Sequence, residues 1–162
     1  MMTEPSPDPS VFDSIDPALK VVSAEIDVEA PAESVFELIA DPGRQPEWDG
    51  NDNLGSASEG QRVRGTGGSF ITTLTKGVDR ENHIVDFTEG RLIAWKPSEV
   101  GGEPFGQKWV WEIEPTGQRT CLVRHTYDWT QLRDPQRLPR AQATTVANLL
   151  ASLKRLKQLA ES

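Results

Sequence analysis

Along VVSAEIDVE, Val22, Ala24, Ile26 and Val28 fall on one side and Ser23, Glu25, Asp27 and Glu29 on the other. Strict alternation of this kind predicts a half-buried strand over 21–29. Ala30-Pro31 stops it. Pro31 suits the first position of a helix, where its missing N–H would have no partner anyway. Glu33 in the first turn complements the helix dipole. Val35, Leu38 and Ile39 then recur at helical spacing beside Phe36, until Asp41-Pro42-Gly43 breaks the element. Pro46 to Asp49 reads as a second short helical turn carrying Trp48.

Beyond Trp48 the period changes to two. Strands are predicted near 53–58, 62–75, 79–88, 91–97, 105–114 and 119–130, separated by Gly77, Glu89-Gly90, Gly101-Gly102 and Pro115-Thr116-Gly117. Connections this short imply an antiparallel meander. In the last two strands the pattern is clearest. Phe105, Gln107, Trp109, Trp111 and Ile113 share one face, as do Cys121, Val123, His125, Tyr127 and Trp129, and these faces are expected to point inward. A long helix from about Arg137 to Ala160 closes the chain, with Val146, Leu149, Leu150, Leu153, Leu156 and Ala160 in one apolar stripe. Strand, two helices, six strands and a helix make an α+β domain with its helices gathered on one face of the sheet. The domain is expected over 19–162. Residues 1–18, with Pro5, Pro7, Pro9 and Pro17 among Ser, Asp and Glu, read as a disordered tail.

Composition narrows the classes. A chain of 162 residues suits one core. Its single cysteine and two histidines exclude a disulfide-stapled scaffold and a Cys/His zinc module. The longest apolar run, Leu92 to Trp95, is far short of the ~20 residues a membrane span needs. With Lys20 the first basic residue, no signal peptide is read, and a cytoplasmic location is expected. The net charge of −8 argues against nucleic-acid binding. That charge is uneven: residues 1–60 hold 14 acids and two bases, residues 61–162 hold 11 acids and 15 bases. No nucleotide, metal or organic cofactor signature is found. Gly65-Thr66-Gly67-Gly68 lacks the Lys-Ser/Thr of a phosphate loop and is expected to be a bend.

In this element order the sequence resembles the helix-grip fold of START-like (SRPBCC) proteins, most closely the polyketide cyclase/dehydrase and lipid-transport branch. The likeness is carried by Ile26 through Phe36, Asp41-Pro42, Pro46-Glu47-Trp48, Gly90 through Trp95, Trp109 through Glu114, Arg119-Thr120 and Leu153 through Leu156. It covers roughly 20–160. It implies a curved antiparallel sheet of about seven strands gripping the last helix, with a hydrophobic cavity between them. Family members hold lipids, sterols, polyketides or hormones there, and some catalyse aromatic cyclisation and dehydration.

Two functions follow from that resemblance. The first is a carrier or binding protein for a small lipid-like or polyketide-like molecule. Trp95, Trp109, Trp111, Trp129, His83, Phe87 and Val123 are its candidate lining, since indole faces suit a flat apolar ligand. The second is a polyketide cyclase or dehydratase in which His125 serves as acid or base and Tyr127 donates to a developing oxyanion. The residues leave open whether any reaction is catalysed. Segments 97–104 and 134–139 are candidates to gate the mouth, with Arg133, Arg137 and Arg140 meeting an anionic group. Exposed aromatic strand faces would suit a homodimer.

Overall fold

Every one of the seven strands in the computed structural model, which describes residues 9–162, belongs to one antiparallel sheet. They are β1 (Val21–Val28), β2 (Leu54–Ala57), β3 (Ser69–Leu74), β4 (Asp79–Thr88), β5 (Leu92–Ser98), β6 (Lys108–Gly117) and β7 (Thr120–Asp128). Their order is β1-β7-β6-β5-β4-β3-β2, so the meander runs from β2 to β7 and its last strand pairs with the first. Helices α1 (Ala32–Ala40) and α2 (Gln45–Trp48) follow β1; α3 (Leu138–Ala143) and α4 (Val146–Glu161) follow β7. The sheet curls as a half-barrel around α4, which is the α+β helix-grip architecture. Among the described residues no helix is long and apolar enough to cross a membrane.

The alternation read from the sequence places the core. Ala24 and Val28 of β1 are buried while Ser23, Glu25 and Asp27 are exposed. On β6 and β7, Trp111, Ile113, Cys121, Val123, His125 and Tyr127 turn inward and are nearly inaccessible. The tryptophans therefore do not form the exposed aromatic faces expected of a dimer surface. Val35, Phe36 and Ile39 of α1 and Leu149, Leu153 and Leu156 of α4 cover the same inner face. Val146, counted into the apolar stripe, is exposed instead.

Four segments depart from expectation. Only 69–74 of the predicted 62–75 strand pairs in the sheet, because residues 62–63 are tied elsewhere. Val63 N–H donates to the Ala40 carbonyl at 2.8 Å, and Arg62 bridges Glu37 and Glu89, the latter at 2.6 Å. Strand β6 starts at Lys108 rather than 105. Gly106 has φ +118°, and a Cβ there would meet the Gln131 carbonyl oxygen at 2.3 Å, so residues 105–107 leave the ladder to pass close to 131–132. The long C-terminal helix is interrupted at Thr144-Thr145. Thr144 is extended (φ −79°, ψ 115°), and Thr145 starts α4 in a capping box with Asn148.

The fourth departure is at the N-terminus. Of the segment expected to be disordered, residues 1–8 lie outside the described residues. Pro9–Ser14 and Pro17–Lys20 form 3-10 turns. Phe12 is buried with its ring 6.4 Å from that of Trp129, and Lys20 Nζ, itself buried, donates to the Phe12 carbonyl at 2.7 Å. One aromatic side chain, invisible to a composition argument, docks this stretch on the domain.

Candidate functional site

Between the inner face of the sheet and helices α2, α3 and α4 lies a cavity of about 420 Å³, partly open to solvent. Its back wall follows from register. Trp109 pairs with Tyr127 and Trp111 with His125 across adjacent antiparallel strands. Because side chains two apart share a face, these four rings form one block. The Trp111 and His125 rings stack at 3.7 Å and 15°, and the Trp109 ring lies 4.3 Å from Tyr127 and 5.5 Å from His125. Trp48 meets Trp111 edge-on at 5.0 Å and is anchored by its own N–H, donated to the Leu38 carbonyl at 2.7 Å.

His125 Nδ1 lies 3.0 Å from the Val110 carbonyl oxygen. A carbonyl only accepts, so Nδ1 carries the hydrogen and Nε2 is a bare acceptor. Burial among indoles pushes the His125 pKa down to about 4, only partly offset by the Val110 bond. The ring is thus neutral at physiological pH and a weak base. Burial likewise pushes Tyr127 up to about 12, with nearby Arg140 pulling the other way. Its hydroxyl is a protonated donor.

Four side-chain atoms among the described residues are buried without a hydrogen-bond partner in the protein: Gln45 Nε2, Gln107 Oε1, Trp111 Nε1 and Arg137 Nε. All four residues line this cavity. An unmet buried polar group costs about 1–3 kcal/mol, so such groups in one place mark where a bound molecule or water belongs.

Of the residues singled out in the sequence, Trp95, Trp109, Trp111, His125 and Tyr127 line the cavity. His83, Phe87, Val123 and Trp129 do not. His83 fails because of a β-bulge between Ile84 and Asp86, which shifts the phase of β4. Before the bulge the inward residues are Asn82 and Ile84, so His83 faces outward, its Nε2 2.8 Å from Ser98 Oγ. Phe87, beyond the bulge, turns inward but packs on Phe36 of α1 at 5.8 Å. Val123 is fully buried between Ile26 and Ile113 in the register, and Trp129 is covered by Phe12. Of the three arginines expected at the mouth, Arg137 and Arg140 line the cavity. Arg133 instead pairs with Asp13 at 2.8 Å and lies over Phe12.

Gln45, Arg80 and Asn82 were missed. A signal for two of them existed, since Arg80, Asn82 and Ile84 alternate on β4 in the phase opposite to His83, Val85 and Phe87. Asp49 is the one carboxylate among the residues lining the cavity. It accepts the backbone N–H groups of Asn51, Asn53 and Leu54 and shapes the loop.

Comparison with known proteins agrees with this fold. The family described as polyketide cyclase / dehydrase and lipid transport matches residues 20–161. Two uncharacterized proteins from strains of Mycobacterium tuberculosis are 30% identical over 110 residues, 67% of this chain and 47% of theirs. The chain thus spans about half the length of these curated relatives. Norcoclaurine synthase of Thalictrum flavum, solved with dopamine and hydroxybenzaldehyde, superposes with a TM-score of 0.58 at 16% identity, covering 86% of this chain and 85% of the enzyme. The Aha1 dimer of Colwellia psychrerythraea superposes with a TM-score of 0.59 at 14% identity, covering 87% and 96%. At these identities the likeness is one of fold.

Proposed function

The chain belongs to the polyketide cyclase/dehydrase and lipid-transport family, and from that premise we propose that it is a binding or carrier protein for a small hydrophobic molecule held in the cavity. The block of Trp109, Trp111, His125 and Tyr127 carries this reading. It offers flat apolar faces with a few fixed polar atoms, in a volume of about 420 Å³ that suits a small ligand. Trp95 extends the apolar wall. Native protein purified without detergent is expected to release an unchanged lipid-like or polyketide-like molecule on denaturing mass spectrometry. Protein that binds no apolar molecule, from the cell or from an added panel, would falsify the reading.

The rival reading, a cyclase or dehydratase using His125 and Tyr127, has weaker support. It asks His125 to exchange a proton near neutral pH, whereas burial holds its pKa at about 4. Tyr127 as a hydrogen-bond donor to a ligand carbonyl fits either reading. A homodimer belongs to the same proposal: the Aha1 relative was solved as a dimer, and β1 is an edge strand of the sheet. Sedimentation as a monomer at all micromolar concentrations rejects it. A cytoplasmic location is proposed with it, the single Cys121 being a buried free thiol.

A further inference from the structure

The cavity of this acidic chain is lined by four cations, Lys76, Arg80, Arg137 and Arg140, and by one carboxylate, Asp49, already engaged by three backbone N–H groups. Three of the cations converge. The guanidiniums of Arg80 and Arg137 both lie against the Phe105 ring, their Cζ atoms 5.5 and 3.3 Å from its centroid. Arg140 is close enough to act electrostatically on both Arg80 and Tyr127. Among the described residues no carboxylate comes within ion-pair distance of Arg80 or Arg140. Arg137 has only Asp134, at 3.4 Å from Nε and without hydrogen-bond geometry, so that buried N–H is unmet. Like charges gathered this way repel one another, and the Phe105 ring face, Asp134 beside Arg137 and Glu99 acting on Arg80 from beyond ion-pair distance offset only part of that repulsion. A bound oxyanion would relieve the repulsion and supply the planar acceptor that guanidinium forks match.

We propose that the ligand is an amphipathic organic anion whose acidic head sits among Arg80, Arg137 and Arg140 and whose apolar body lies along Trp109 and Trp111. Phe105 gathers the guanidiniums of Arg80 and Arg137 on its ring and so holds two of the three cations that would meet the head. The inference rests on the cavity being a ligand site and adds the charge and orientation of the occupant.

The test uses dansylaminoundecanoate and its uncharged methyl ester as probes, read by energy transfer from the cavity tryptophans at low salt. Decanoate, decyl phosphate and decanol then compete for the site. The expected result is displacement by at least one of the two acids at roughly a tenth or less of the decanol concentration, as charge-assisted pairing to guanidinium requires. Whichever acid competes better identifies a carboxylate or a phosphate head. In the double variant Arg137→Gln/Arg140→Gln that advantage is expected to fall by about tenfold, while decanol competes as before and reports an intact cavity. Decanol competing as well as the acids, or acids unaffected by the double variant, overturns the anion proposal and leaves the cavity reading standing. Energy transfer from neither probe overturns both.

Discussion

A histidine stacked on Trp111 and hydrogen-bonded to a backbone carbonyl has a measurable effect on stability. The folded-state pKa of His125 is about 4, against an ordinary value of 6.5. Between those values the unfolded chain takes up a proton that the folded chain refuses. The contribution is therefore fully present above about pH 6.5 and is lost as pH falls toward 4, by an amount on the order of 3 kcal/mol. The carboxylates lowered by their partners, such as Glu37 beside Arg62 and Glu161 beside Lys157, act below their ordinary 4.5 and leave the upper part of that window to His125. Urea midpoints measured from pH 7.5 to 5 should fall in the wild type and be distinctly flatter in His125→Gln. Parallel curves would mean that the folded protein protonates His125 freely. At this scale the sequence was informative wherever period two ran unbroken: Trp109, Trp111, His125 and Tyr127 were placed on one face from spacing alone. It was uninformative for Gln45, and for Arg80 the alternation with Asn82 and Ile84 was the one signal. A glutamine in a short helix and an arginine in a strand look like surface residues until distant elements are brought over them.

Elements were legible where a local signal sets them and misread where a remote contact does. Pro31, Glu33 and the Val35–Ile39 stripe fix α1 locally. The departure of 105–107 from the ladder depends on residues 131–132 passing nearby, and the bulge in β4 shifts the phase of the strand, so strict alternation put His83 on the wrong face. The junction between α2 and α4 shows the same dependence. A Cβ on Gly50 would meet the backbone of Ala151 at 2.3 Å. Around it Gly50 N–H donates to Ser152 Oγ at 3.0 Å, the Asn51 amide donates to the Asn148 carbonyl at 2.9 Å, and Arg155 donates to the Asp49 carbonyl at 2.7 Å. No flexible side chain is there to yield, so Gly50→Ala must push the loop off α4 and stretch this network. A loss of about 2–4 kcal/mol is expected from overpacking with hydrogen bonds broken. Gly65→Ala, which meets nothing within 4 Å, should stay within roughly 0.5 kcal/mol of wild type. Equal urea midpoints for the two variants would show that the junction is loose.

In the whole molecule, the meander joins β2 to β7 in chain order and β1 closes on β7, while the N-terminal stretch seals the end where β7 leaves the sheet. That stretch packs Phe12 on Trp129, and Asp13 holds Arg133 two residues after Gln131, where the chain turns toward α3. The same turn goes on to carry Arg137 into the cavity. Composition could not show this, because one phenylalanine among prolines and acids hardly changes an average, yet its burial is nearly complete at 1% exposure. Truncating a buried phenylalanine typically costs about 3–5 kcal/mol. Phe12→Ala is therefore expected to lower the unfolding free energy by that amount, read as a lower urea midpoint, and to weaken retention of a cavity ligand, since it removes the ring beneath Arg133 at the start of the turn that leads to Arg137. Asp13→Asn removes only an exposed ion pair and should leave the urea midpoint close to that of the wild type. If Phe12→Ala unfolds at the wild-type midpoint, residues 9–14 are a tail after all, and the turn that positions Arg137 must be held by β7 and α3 alone.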